Sequence, residues 1–364
     1  MTTSYRMRAL VGVAAAGALL LAGCSSSAEP GGGGGSETPA DDTTPVTLDW
    51  VGYGGAGQDG MIEAYQVPFT AEHPNVTFTN TSPPDPAQVK AQVLSGQVDW
   101  DVVITAPYLA DQNCDTLYEP LDVPDVDQSQ FEEGLLGKCH IPNFQYGLIF
   151  AYDGDKWPDP ATAPSKLADF FDTKKFPGKR GIVPTVQDGF LEIGLLADGV
   201  RPDDLYPLDV DRSLSVWDTV KADTIFAANP GALLQALTSK QADMWILVQA
   251  RSQTALDEGV NLVPVWDKTV TSVDGIAIPK GAPHKAITEK LFSFILSPEA
   301  QADVASRIGV APVNSDAKPK LTANGEKVNA FGAANTGERI RVDAKWWGEN
   351  YNEVSARVTT WLNG

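Results

Sequence analysis

The sequence predicts an α/β protein of two lobes joined by a pair of crossing strands, and three observations carry that expectation. From residue 46 onward, short apolar runs alternate with amphipathic stretches, the order of strands and helices in an α/β architecture. One helix–strand unit occurs twice. Asp85-Pro86 opens a helix with Val89, Val93 and Leu94 ahead of Trp100-Asp101-Val102-Val103-Ile104; Asn229-Pro230 opens another with Leu233, Leu234 and Leu237 ahead of Met244-Trp245-Ile246-Leu247-Val248. Finally, two strand-like runs at 147–152 and 274–279 are spaced to carry the chain from one lobe to the other and back, making a hinge.

The elements follow in order. Arg6 and Arg8 precede an apolar run, 9–21, that is too short for a membrane span and reads as a signal peptide occupying 1–23. Leu21-Ala22-Gly23-Cys24 resembles a bacterial lipobox, which makes Cys24 the expected lipidation site; the alternative is a cysteine beside an ordinary cleavage site. Residues 24–45, rich in Gly, Ser, Thr and Pro, form a flexible linker that builds no core. A Gly/Ser chain of that length spans on the order of 25 Å, enough to tether a folded body at a membrane.

Val46-Thr47-Leu48-Asp49-Trp50-Val51 is the first predicted strand, followed by a Gly54-Gly55-Ala56-Gly57 turn, a helix near 61–71 and a strand at 76–79. Asp85-Pro86 and Asn229-Pro230 each combine an N-cap side chain with a proline suited to the first helical turn. Further strands are expected at 181–183 and 261–265, helices at 286–296 and after Ser297-Pro298-Glu299, and a terminal helix with Tyr351, Val354, Val358 and Trp361 on one face. This assigns 46–152 plus 275–364 to the first lobe and 153–274 to the second.

The chain carries 27 basic and 47 acidic side chains, a formal charge of −20 that falls to −22 once Arg6 and Arg8 leave with the leader. Phosphate backbones require a basic surface, so nucleic acid is excluded as a partner. The acidity serves solubility or attracts cations. Setting Cys24 aside, Cys114 and Cys139 remain as an even pair. In an oxidising compartment they are expected to form a disulfide worth about 3 kcal/mol, the alternative being two buried free thiols.

Several runs together resemble the extracellular solute-binding proteins of ABC importers, in their polyamine (spermidine/putrescine) branch. They include Asp101-Val102-Val103 with Tyr108, Phe176-Pro177-Gly178-Lys179-Arg180-Gly181, Leu205-Tyr206-Pro207-Leu208-Asp209, Asp274-Gly275-Ile276-Ala277-Ile278-Pro279 and Trp346-Trp347-Gly348-Glu349-Asn350. The resemblance implies a type II periplasmic-binding-protein-like fold, each lobe a mainly parallel sheet wrapped by helices, with a ligand in the cleft between them. It also implies a monomer that hands its solute to a permease and ATPase complex.

By that resemblance Trp50 and Tyr53 form an aromatic wall, although Trp50 also reads as core. Thr105 and Tyr108 match a polar and aromatic pair at a strand end, where open α/β sheets bind ligands. Asp274 falls where the branch clasps an amine; its alternative is a hinge salt bridge. The branch's two second-lobe acids fall on Gln187 and Phe190, leaving Asp188 one place off. Its tryptophan positions hold Val248 and Ser272, with Gln249 and Arg251 close behind. An Arg251 facing the cleft repels a diamine and welcomes a carboxylate, so an amino-acid-like zwitterion, ammonium near Asp274 and carboxylate near Arg251, is the alternative to a polyamine; Arg251 reads equally as a surface helix residue.

No catalytic residues, metal ligands or cofactor are expected. His73, His140 and His284 lie far apart without ligand spacing, and the chain has no nucleophile elbow, phosphate loop or dinucleotide fingerprint. A secreted hydrolase and an adhesive lipoprotein complete the range of readings.

Overall fold

The computed structural model describes residues 44–364; the expected leader, Cys24 and the linker up to residue 43 lie outside it. Ten strands are present among the described residues: β1 (Val46–Val51), β2 (Val76–Thr81), β3 (Val102–Thr105), β4 (Ile141–Asp153), β5 (Arg180–Ile182), β6 (Thr224–Phe226), β7 (Met244–Val248), β8 (Leu262–Pro264), β9 (Lys268–Ala277) and β10 (Glu338–Arg341). They run in the order β2-β1-β3-β9-β4-β7-β5-β6, with β8 added on β4 and β10 on β9. The core pairs of each lobe are parallel, β1 with β2 and β3, β5 with β6 and β7, while β9 joins β3 and β8 joins β4 in antiparallel fashion. This is the predicted two-lobed type II arrangement.

The hinge is an antiparallel pair. The first half of β4, from Ile141 to Gly147, pairs with β9, and its second half, from Leu148 to Tyr152, pairs with β7. One strand thus serves two sheets and hands over at Gly147. A side chain there would drive its Cβ to 2.3 Å from that of Ala330, so only glycine fits. The sequence marked only the apolar half of β4 and the end of β9. Their remaining segments, Asn143-Phe144-Gln145-Tyr146 and Thr271-Ser272-Val273-Asp274, carry polar side chains because they turn one face to the cleft.

Each sheet is buried on both sides, as parallel sheets require. Leu48, Trp50, Val102 and Ile104 point to one core of the first lobe, Val51 and Val103 to another. In the second lobe Met244 and Ile246 alternate in the same way with Trp245 and Leu247. The caps read from the sequence are formed: Asp85 accepts from Ala87 N at 2.8 Å and Asn229 from Ala232 N at 2.9 Å.

Arg180, in the Phe176 to Gly181 run, is fully buried. Its guanidinium donates to the carbonyls of Phe170, Phe176 and Gly178, so that run closes a loop under β5. A disulfide joins Cys114 to Cys139, just ahead of β4.

The terminal helix, Ala344–Asn363, is capped by Asp343 and buries Trp347, Val354 and Val358 in the core that also contains Phe190 and Trp217. Three such side chains contribute about 1.5–3 kcal/mol each, so the helix is docked firmly on the second lobe. Its Tyr351 reaches back to Tyr108 of the first lobe, ring centroids 5.8 Å apart.

Candidate ligand cleft between the lobes

The floor of the cleft is the β4–β9 pair. Tyr146 stands opposite Ser272 and Phe144 opposite Asp274, which puts all four on one face of the ribbon. Asn143 Nδ2 donates to Asp274 Oδ2 at 3.2 Å, and Tyr65 OH in turn donates to Asn143 Oδ1 at 3.0 Å, so the carboxylate is held from below.

The second lobe adds Asp188, at the end of a single 3₁₀ turn, Val186–Asp188. Tyr146 OH donates to its Oδ1 at 3.0 Å. Gly189 follows with φ at +111°, and a Cβ there would strike Val270 of β9 at 2.4 Å. Glycine therefore lets the turn lie against the hinge and aims Asp188 toward it.

The two acids are held far from their ordinary state. Enclosure by protein pushes Asp188 up to about 6, opposed by the Tyr146 hydroxyl. It pushes Asp274 up to about 7; the Asn143 amide opposes the rise and the nearby Asp188 charge adds to it. Two carboxylates so destabilised, each with an oxygen not taken by these bonds, favour a cation between them.

Around them stand tyrosines. Tyr53, two residues past β1, is 67% exposed; desolvation, and after it the charges of Asp274 and Asp188, push its hydroxyl above the ordinary phenol range. Tyr108 opens a short helix, Pro107–Gln112, at the carboxyl end of β3, and packs on Tyr351. Desolvation raises its hydroxyl too, with Tyr351, Asp188 and Tyr53 adding to the rise.

Arg251 lies in the first turn of the helix Gln249–Asp257, just past the carboxyl end of β7. Its Nη2 comes within 3.8 Å of where a Cβ on Gly55 would be, so the guanidinium crosses from the second lobe to the turn after β1. Among the described residues it has no hydrogen-bond or ion-pair partner.

The other expected residues are placed differently. Trp50 has no exposed surface and packs near Tyr65 in the first-lobe core, so of its two readings the structure realises core. Phe190 is stacked on Trp217, centroids 4.5 Å apart, deep in the second lobe. Gln249 is a buried knot: its Nε2 donates to Gly309 O at 2.8 Å, and its Oε1 accepts from Gly147 N and Ala330 N. Thr105 is buried at the end of β3, and Gln187 is half-buried beside Asp188.

Three lining residues escaped the sequence reading. Tyr146 and Asn143 sit in the polar half of β4, and Tyr351 was read as part of an apolar helix face. Among the described residues no three His, Cys, Asp or Glu side chains are grouped to hold a metal ion.

The chain as a whole is similar to known proteins. The chain is 31% identical over 323 residues, 86% of its length and 90% of the relative's, to a γ-aminobutyric acid-binding protein of Pseudomonas aeruginosa. A solved γ-aminobutyric acid receptor superposes with a TM-score of 0.78 at 29% identity, covering 88% of this chain and 98% of that one. A periplasmic binding protein of Agrobacterium tumefaciens in complex with agropinic acid gives 0.75 at 32%, covering 87% and 99%. With two lobes, crossing strands and a charged cleft in place, and with residues 52–333 matching the family described as bacterial extracellular solute-binding protein, the chain belongs to that family.

Proposed function

We propose that this protein captures an amino-acid-like zwitterion, of the size and charge of an ω-amino acid, and presents it to the permease and ATPase of an ABC importer. Two features support the reading: the destabilised carboxylates Asp188 and Asp274 at the hinge, and an Arg251 guanidinium that reaches the turn after β1 with no hydrogen-bond or ion-pair partner among the described residues. An ammonium group bridges the acids, and a carboxylate at the other end of the solute takes Arg251 through charge-assisted hydrogen bonds. The relatives named for γ-aminobutyric acid and agropinic acid support this class.

A spermidine- or putrescine-like solute, which the resemblance to the polyamine branch favoured, satisfies the same two acids. It leaves a second ammonium facing Arg251, and like charges at close range are costly in a partly desolvated cleft. The family's tryptophan platform is also missing, with Val248 and Ser272 in its place.

In this reading the first lobe, 46–152 with 275–343, and the second, 153–274 with the terminal helix docked on it, close about β4 and β9. Ligand contacts completed only on closure shift the open and closed populations. The protein works as a monomer that binds without turnover, tethered through lipid on Cys24.

A thermal-shift panel tests this. γ-Aminobutyrate and related ω-amino acids are expected to raise the melting temperature by several degrees, and putrescine by less. A panel in which only diamines stabilise the protein would return the assignment to polyamines.

A further inference from the structure

Resting on the zwitterion reading, we infer that the natural solute carries a third polar group, a hydroxyl on the chain between its charged ends, and that Tyr108 reads it. Tyr108 is 8% exposed, and its hydroxyl is covered by protein without any hydrogen-bond partner. Buried hydroxyls are almost always paired, because an unpaired one has lost its water and gained nothing.

The position of this one ties it to the ligand. Tyr108 follows the carboxyl end of β3, which pairs with the crossing strand so that Thr105 faces Gly275, the residue after Asp274. Its ring packs on Tyr351, and Asp188 and Tyr53 are close enough to act on its hydroxyl. Desolvation, with the nearby Asp188 carboxylate adding to it, keeps the phenol protonated, so it both donates and accepts.

An unsubstituted ω-amino acid spends its ammonium on Asp188 and Asp274 and its carboxylate on Arg251. Only methylenes then remain to meet Tyr108. A hydroxyl on one of those carbons supplies the missing partner, and a site built to bond a hydroxyl discriminates sharply against the analogue that lacks it. Tyr108 is then the residue that separates plain from hydroxylated substrates.

The experiment is a calorimetric titration of the full chain, wild type and Tyr108→Phe, with γ-aminobutyrate and with both enantiomers of its 2-hydroxy and 3-hydroxy derivatives. The wild type is expected to bind at least one hydroxylated isomer roughly tenfold more tightly than γ-aminobutyrate, a difference of about 1.4 kcal/mol. Tyr108→Phe should reduce that preference to within about twofold, whatever the variant's own affinity for γ-aminobutyrate, and not lower the melting temperature. Equal affinities across the wild-type panel, or a preference that survives in Tyr108→Phe, would overturn the inference while the zwitterion reading stands. If neither γ-aminobutyrate nor any hydroxylated isomer binds, both fall.

Discussion

Replacing Asp274 by Asn should strengthen the empty protein and weaken its grip on ligand. The acid is raised from 3.8 to about 7, chiefly by loss of solvent. At about 1.4 kcal/mol per unit, ionising it in the fold costs up to roughly 4 kcal/mol more than in the unfolded chain. The carboxylate keeps some exposure on the cleft face, so about half of that, ~2 kcal/mol, is the realistic penalty. Asn keeps the shape and can still bond Asn143 but carries no charge. At pH 8, where Asp274 is ionised in both states, the ligand-free variant is expected to melt several degrees above the wild type. Between the unfolded and folded pKa values the native state binds more protons than the unfolded one, so wild-type stability falls as pH rises from about 4 to 7. The advantage of Asn therefore fades by pH 5, where the native acid is protonated. Ligand affinity moves the other way: a hydrogen bond to a charged partner is worth about 1.5–3 kcal/mol, a loss of roughly tenfold to a hundredfold. Calorimetry and melting curves at both pH values measure these quantities. An Asn variant that is less stable at pH 8 and binds γ-aminobutyrate as well as the wild type would refute the reasoning.

Other changes separate binding from folding. Arg251→Gln, which breaks no hydrogen bond or ion pair among the described residues, should leave the melting temperature within about a degree but weaken carboxylate-bearing solutes roughly a hundredfold in equilibrium titrations. Gln249→Ala should do the reverse at first hand, lowering stability by about 2–3 kcal/mol in a denaturant series, because it orphans Gly309 O, Gly147 N and Ala330 N in a buried knot. Removing the disulfide by Cys114→Ser with Cys139→Ser should cost about 3 kcal/mol in the same assay. Zwitterion affinity should fall roughly tenfold or more between pH 8 and pH 5, as Asp274 at about 7 and then Asp188 at about 6 take up protons and cease to attract an ammonium.

Much of this fold was legible because its strands are buried on both faces. β7 is five consecutive apolar residues bounded by Asp243 and Gln249, and the sequence gives no other use for such a run. The short members left no such mark. β6 is three residues, and β10, Glu338-Arg339-Ile340-Arg341, buries only Ile340. Each is held by its neighbours in the sheet rather than by its own pattern.

The cleft was legible in its chemistry and less so in its geometry. Asp274 and Arg251 stand out as charges next to predicted strands. Asp188 looked one place out of register, and only the 3₁₀ turn closed by Gly189 makes it face Tyr146. Trp50 reads as a binding platform by position, but alternation along β1 sends it to the same core as Leu48. Tyr351 is 77 residues from Asp274 in the chain, and only the docking of the terminal helix on Trp217 and Phe190 delivers it to Tyr108.

The deciding property is whether the cleft prefers a solute with opposite charges at its ends over one with two positive ends. A side-by-side calorimetric titration with γ-aminobutyrate and putrescine at pH 8 measures that preference directly. Micromolar or tighter binding of γ-aminobutyrate, with putrescine at least tenfold weaker, is the expected result. Tighter binding of putrescine would contradict it.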